Sequence, residues 1–107
     1  MSDIEKLLEE ARQRATNYGA MYGAKETADD FLKTTYALIR EDAPQGSVAD
    51  MDAWVRRQPE YRAAIERKCD AYQKWKTAET YLKLLFAQVD VYRTEQANNR
   101  YLDKGHQ

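Results

Sequence analysis

Apolar residues recur along the first forty positions at the spacing of one helical face. The stripe consists of Ile4, Leu8, Ala11, Ala15, Tyr18 and Tyr22 and, after one phase shift, Ala28, Phe31, Leu32, Thr35, Leu38 and Ile39. Its steps of three and four are those of an amphipathic α-helix. Ser2 followed by Glu5 is a capping-box pattern. The sequence therefore predicts a first helix over about residues 3–42.

The helix breakers predict where the chain turns. The segment DAPQGS, residues 42–47, contains Pro44 and Gly46 and is typical of a turn. Ser47 and Asp50 form a second capping-box pattern, which predicts a short helix over residues 48–58. Pro59 ends that helix and suits the first turn of another, because a missing N–H is not needed there. We expect a last helix over residues 59–104.

The last predicted helix has an apolar seam whose average period is near 3.5 residues. Its members are Tyr61, Ile65, Tyr72, Trp75, Ala78, Leu82, Leu85, Val89 and Tyr92. This period is typical of a left-handed coiled coil. At 1.5 Å per residue the two long helices measure roughly 57 and 68 Å, which exceeds a compact globule of this chain length. The prediction is one all-α domain, residues 1–107: an elongated antiparallel helical hairpin with a short corner helix and coiled-coil-like packing.

A second apolar face lies in the stretch YLKLLFAQVDVYR, residues 81–93. Tyr81, Leu84 and Val91 are three, seven or ten residues apart and are expected roughly opposite the seam. Either the first helix breaks near Gly19 and doubles back over this face, or another copy of the chain covers it. We favour a homo-oligomer with these three residues in its interface. Gly19 and Gly23, four residues apart, also indicate a hinge, a kink or the close approach of another helix.

Composition excludes several classes of protein. The single Cys69 excludes an intramolecular disulfide and indicates a reduced, cytoplasmic setting. The acidic N-terminus is unlike a signal peptide, and the longest uncharged run, residues 15–24, is too short to span a membrane. No paired-histidine metal spacing, phosphate-binding glycine loop or nucleophile motif is present. We therefore expect a non-enzymatic protein with no cofactor and no metal.

Charge divides the chain into two unlike parts. Residues 1–53 contain 6 Lys/Arg and 11 Asp/Glu, a net charge of −5, whereas residues 54–107 contain 11 and 7, a net charge of +4. One interpretation is that the acidic half packs on the basic half. The other is that the basic half also binds a polyanion.

Aromatic and basic residues occur together near the predicted helix ends. The candidates for phosphate contacts are Arg56, Arg57 and Arg62, with Lys76 and Lys83 extending a basic line along the last helix. Trp54 and Tyr61 are candidates for stacking on bases of a single strand. Tyr72, Trp75 and Phe86 are expected in the core. An arginine over an aromatic ring is also an ordinary surface contact, so the pattern leaves both interpretations open.

The stretch from Val48 to Leu102 resembles a group of small tailed-phage proteins. The resemblance rests on MDAWVRRQPEYRAA, a short apolar helix followed by Pro-Glu, and on the arginine-bearing segment VDVYRTEQANNRYL at the end of a long helix. In general plan it looks like the phage recombination mediators of the UvsY type. These bind single-stranded DNA, assemble into rings or higher oligomers and help to load a recombinase in place of single-strand-binding protein.

The resemblance implies positions and partners for this chain. Trp54, Val55, Pro59 and Tyr61 would belong to the corner, and Arg93 and Asn99 to the terminal segment. The implied partners are other copies of the chain, single-stranded DNA, and a recombinase or single-strand-binding protein. The first functional prediction is a phage-type accessory protein that binds single-stranded DNA and assists recombination or replication. The alternative is an oligomeric protein-interaction module: an adaptor, an assembly chaperone or an inhibitor of a host protein.

Overall fold

Three helices account for nearly all of the chain. The structure, a computed structural model, describes residues 2–105. The helices are α1 (Asp3–Glu41), α2 (Val48–Arg56) and α3 (Pro59–Gly105), and the described residues contain no strand. The predicted all-α class is confirmed. The predicted bounds differ by one residue at the ends of α1 and α3 and by two at the end of α2.

Side-chain caps and breakers set the helix ends. Ser2 Oγ accepts a hydrogen bond from the Glu5 N–H at 3.2 Å, and Ser47 Oγ accepts one from the Asp50 N–H at 3.1 Å. Both satisfy an N–H that the first turn of a helix leaves without a backbone partner. Arg57 follows the last residue of α2 as its C-cap, and Pro59 begins α3.

The chain divides into two compact units, both of which contain parts of α1 and α3. The terminal unit comprises the described residues of Met1–Gly19 and Thr77–Gln107, and the corner unit comprises Ala20–Lys76, including α2. The predicted single domain stays a prediction.

Three contacts fix the register of α1 on α3 in the corner unit. The Tyr22 and Trp75 rings meet edge to face with centroids 6.1 Å apart, and Tyr36 and Tyr61 do the same at 5.9 Å. Between them, Lys68 Nζ lies 2.9 Å from Asp29 Oδ1. Successive contacts are seven residues apart on both helices and run in opposite directions. The two segments are therefore antiparallel, with the heptad repeat of a coiled coil.

The terminal unit has the same antiparallel arrangement. The Arg14 guanidinium lies 5.2 Å from the centre of the Tyr81 ring. Nearer the chain ends, Ile4 and Leu8 line one cavity together with Tyr92. Rising residue numbers on α1 again face falling numbers on α3, so the helical hairpin is confirmed within each unit.

The seam of α1 differs from the predicted stripe. Its less exposed positions alternate steps of three and four without a phase shift: Ile4, Leu7, Ala11, Arg14, Tyr18, Met21, Lys25, Ala28, Leu32, Thr35 and Ile39. The prediction of Leu8, Ala15, Tyr22, Phe31 and Leu38 as seam residues was wrong; Ala15 is exposed, and the other four are 43–58% exposed. The other seven stripe residues lie in the seam. At positions 14 and 25 the seam is basic, which an apolar pattern does not register.

The α3 seam is closer to the prediction. Its positions are Tyr61, Ala64, Lys68, Ala71, Trp75, Ala78, Leu82, Leu85, Val89 and Tyr92, again at alternating steps of three and four. Two residues expected in the core are outside it, since Tyr72 is 49% and Phe86 51% exposed. Alanine at three of these positions, 64, 71 and 78, lets the large aromatic residues of the facing helix approach.

Helix α1 is continuous through its two glycines. Neither the break at Gly19 nor the close approach of another helix that the sequence suggested is present in the described chain. A Cβ placed on Gly19 or Gly23 would have no neighbour within 4 Å. A doubled-back first helix therefore does not cover Tyr81, Leu84 and Val91.

Candidate nucleic-acid interface and the outer stripe of α3

A polar network holds α2 in the corner unit. Val55 is fully buried, and the Tyr36 hydroxyl donates to Asp52 Oδ1 at 2.7 Å. Arg56 Nε donates to Asp52 Oδ2 at 2.8 Å. The Tyr36 hydrogen bond, and then the Arg56 bond, lower the pKa of Asp52. The same hydrogen bond to Asp52 raises the pKa of Tyr36. These contacts fix the orientation of α2 against α1.

Arg56, a predicted phosphate contact, already has partners within the chain. Besides Asp52, its Nη1 donates to the Tyr61 hydroxyl at 3.4 Å, and its guanidinium lies 5.8 Å from the Tyr61 ring centre. The hydrogen bond to Asp52 raises the pKa of Arg56. Because its charge is compensated locally, Arg56 is a weaker candidate than its neighbour Arg57.

Tyr61 is not available for stacking in this structure. Its side chain belongs to the core, with 7% of the residue exposed, and its ring packs edge to face on Tyr36. The prediction that Tyr61 offers its ring to a base is therefore wrong for this structure. A tyrosine at the start of a helix has the same sequence signature whether its ring faces a neighbouring helix or solvent.

Trp54 and Arg57 line one cleft between α2 and the preceding turn. The cleft has a volume of about 310 Å³, and its other lining residues are Pro44, Gln45, Gly46, Asp50 and Ala53. The Gln58 amide donates to the Trp54 carbonyl at 2.9 Å, which fixes the end of α2 beside it. Trp54 is half-buried and Arg57 is exposed. The cleft therefore combines an aromatic ring with a cation.

Exposure and pairing separate the other basic candidates. Arg57 and Arg62 are exposed, and within residues 2–105 neither side chain makes an ion pair or a hydrogen bond. Lys76 Nζ lies 4.7 Å from the Trp75 ring centre. In the terminal unit, Lys83 pairs with Glu79 at 3.3 Å. Of the five predicted basic residues, Arg57 and Arg62 are thus the freest to meet an anion.

The predicted interface residues are exposed in the terminal unit. Tyr81 is 52%, Leu84 57% and Val91 58% exposed. They belong to a longer row of α3 positions at alternating steps of four and three, which we call the outer stripe: Thr77, Tyr81, Leu84, Gln88, Val91, Glu95, Asn98 and Leu102. This is the heptad spacing of a second helix-packing face.

Comparison with known proteins identifies no relative. No family model matches the chain, and no curated protein or solved structure matches it. The resemblance to UvsY-type mediators therefore stays a prediction that rests on the two segments of sequence described above.

Two further properties bear on the candidate chemistry. Among residues 2–105, no group of three or more His, Cys, Asp or Glu side chains is placed to hold a metal ion. None of the described helices is long and apolar enough to cross a membrane.

Sequence reasoning missed one exposed apolar member of the outer stripe. Leu102, 57% exposed, continues the row that Tyr81, Leu84 and Val91 begin. The signal was present, because Leu102 is eleven residues beyond Val91, and eleven residues complete three turns of an α-helix. The polar residues Glu95 and Asn98 between them concealed it.

Proposed function

We propose that this chain is a non-enzymatic, self-associating accessory protein that binds single-stranded DNA through its corner unit. Its role would be to assist recombination or replication, with a recombinase or a single-strand-binding protein as the protein partner. The contact residues are Arg57 and Arg62 for phosphates and Trp54 for a base. Lys76 and Lys83 remain candidates for secondary phosphate contacts.

The observation that carries this proposal is the pairing of Trp54 with Arg57 in one cleft. Arginine binds phosphate through its planar fork of N–H donors, and a tryptophan ring stacks on any base. A guanidinium without an acidic partner needs no intramolecular ion pair to be broken first. Asp50 at the rim opposes phosphate, which limits the affinity of a single cleft.

Assembly would compensate for a weak single site. The chain has a net charge of −1, so long-range attraction to a polyanion is small. Several copies joined through the outer stripe would present several clefts to one strand, and binding at the first raises the effective concentration at the next. Leu84 and Val91 are more than half exposed, and burying each would contribute about 1 kcal/mol.

The test is an anisotropy titration of an unstructured, labelled oligonucleotide at low and moderate salt. For the wild-type protein we expect saturable binding that weakens as salt rises, with a slope of about −0.7 per phosphate contact. Arg57→Glu/Arg62→Glu should abolish binding. The matched control, Lys33→Glu/Lys74→Glu, makes the same change in charge at two exposed, ion-paired lysines of the same unit and should retain most of it.

Two results would contradict the proposal. One is the absence of wild-type binding even at about 50 mM salt, where phosphate contacts are strong. The other is equal loss of binding in both double variants, which would mean that net charge rather than this cleft determines affinity.

A second candidate function is that of a protein-interaction module, and the exposure of the outer stripe favours it. Tyr81, Leu84 and Val91 form an exposed row interrupted by Gln88, and exposed apolar patches on a small protein mark contact surfaces for another protein chain. Binding through it would depend little on salt, because few charges are involved. If the oligonucleotide fails to bind and the chain still self-associates, this function replaces the first.

A further inference from the structure

A cavity lies between the first turns of α1 and the second half of α3 in the terminal unit. The Arg14 guanidinium lies 5.2 Å from the Tyr81 ring centre, and Ile4 lines the cavity together with Tyr92. The volume of the cavity is about 380 Å³.

The cavity combines an apolar floor with two cations. Ile4, Leu8 and Ala97 supply aliphatic surface, and Tyr92, Arg93 and Arg100 surround it. Arg93 and Arg100 are seven residues apart, which puts them on one side of α3 about 10 Å from each other. No acidic residue lines the cavity, and neither arginine forms an ion pair within residues 2–105.

We infer that this cavity is a docking site for an acidic peptide segment of a partner protein. An apolar side chain of the peptide fills the floor, and its carboxylates bind Arg93 and Arg100, since guanidinium and carboxylate pair in bidentate geometry. The volume lies at the small end of ligand sites and suits one or two side chains.

A peptide suits this cavity better than a nucleic acid does. Single-stranded binding sites present exposed aromatic rings on which bases stack, whereas the floor of this cavity is aliphatic and Tyr92 at its edge is a half-buried seam residue. Arg93 and Arg100 are too far apart for one carboxylate to bind both. The peptide therefore needs at least two acidic residues around its apolar residue. This site is distinct from the Trp54 and Arg57 cleft and does not depend on DNA binding there.

The experiment is an anisotropy titration with a labelled eight-residue peptide that contains four aspartates around two leucines. We expect saturable binding to the wild-type protein and none for a peptide with lysine in place of aspartate. Arg93→Glu/Arg100→Glu should weaken binding by at least about tenfold, because it removes two charge-assisted contacts. Leu8→Ser should weaken it by at least about threefold through loss of apolar burial.

The matched control is Lys6→Glu/Arg12→Glu, which makes the same change in charge at two exposed α1 residues that do not line the cavity. It should bind the peptide within about twofold of wild type, because exposed charges outside a site are largely screened. Circular dichroism verifies the helix content of each variant, and Arg93→Gln/Arg100→Gln replaces the glutamate variant if that one loses helix.

Three results would overturn the inference. The first is that the wild-type protein fails to bind the peptide at up to about 1 mM. The second is that the cavity and control variants lose affinity equally. The third is that an oligonucleotide displaces the peptide, binds Arg93→Glu/Arg100→Glu less tightly and still binds Arg57→Glu/Arg62→Glu, which would make this cavity a nucleic-acid site.

Discussion

Lys25 occupies a helix-packing position although it carries a charge. Its Nζ lies 4.7 Å from the Trp75 ring centre and 5.0 Å from that of Tyr22, and it pairs with Glu26 at 2.9 Å. The hydrogen bond to Glu26 raises the pKa of Lys25. The aliphatic stem covers apolar surface while the ammonium group stays at the aromatic rings. A basic residue whose stem packs in this way can occupy a position in the helix-packing seam.

The glycines of α1 provide a test at single residues. Since a Cβ at Gly19 or Gly23 would meet no neighbour, Gly19→Ala and Gly23→Ala should each raise the free energy of unfolding by about 0.5–1 kcal/mol. Urea denaturation measures the change. Gly46→Ala is the control, because that residue lies in the turn and gains no helix propensity. A loss of stability at Gly23→Ala would mean that α1 is not a continuous helix there.

Because of the Asp52 carboxylate, the free energy of unfolding should depend on pH. Its pKa is lowered by Tyr36 and Arg56, whereas the pKa of an aspartate in the unfolded chain is about 3.9. The folded state thus binds fewer protons than the unfolded state, and the stabilisation is present above about pH 4 and is lost as pH falls through the folded pKa. Asp52→Asn should be less stable than wild type at neutral pH, and the difference should shrink as the pH falls below the pKa of an unfolded aspartate. A difference independent of pH would contradict this account.

At the scale of the elements, the helix breakers and caps determine which features of the fold can be predicted from the sequence. Pro44, Gly46 and Pro59 act through local backbone chemistry, and so the order, type and approximate bounds of the three helices were predictable. The phase of the α1 seam was not, because its packing positions include Arg14 and Lys25, which count as polar in any apolar pattern. The sequence placed Tyr61 both in the seam and among the stacking candidates, and the α1–α3 register decides for the seam. It did not distinguish Arg57 from Arg56, because the contacts of Arg56 with Asp52 and Tyr61 form only in the fold.

The difference in burial between two leucines predicts a difference in what their replacement by alanine does to stability. Leu85 is 3% exposed in the seam, whereas Leu38 on α1 is 58% exposed. Leu85→Ala should lower the free energy of unfolding by about 2–5 kcal/mol through lost burial and a new cavity. Leu38→Ala should change it by no more than about 0.5 kcal/mol, as is usual at the surface. Similar losses for both variants would refute the seam assignment.

At the scale of the whole molecule, self-association is the property on which the proposed function depends. Leu84 and Val91 are exposed in the terminal unit, and Tyr81 beside them is half exposed, with the Arg14 guanidinium over its ring. Leu84→Glu should shift the sedimenting mass of the free protein toward one chain, because it puts a charge into the outer stripe. Phe86→Glu is a control of similar exposure outside the outer stripe and should leave the mass unchanged. Equal effects of both substitutions would contradict the interface.

The most direct measurement of the central claim is sedimentation velocity of a labelled single-stranded oligonucleotide with the wild-type protein and with Leu84→Glu. The account predicts that the label moves with an assembly larger than one 12.5 kDa chain and that Leu84→Glu releases most of it, because single clefts bind weakly. If the label sediments as free oligonucleotide with the wild-type protein, or moves equally well with single chains, the claim that assembled copies bind single-stranded DNA is wrong.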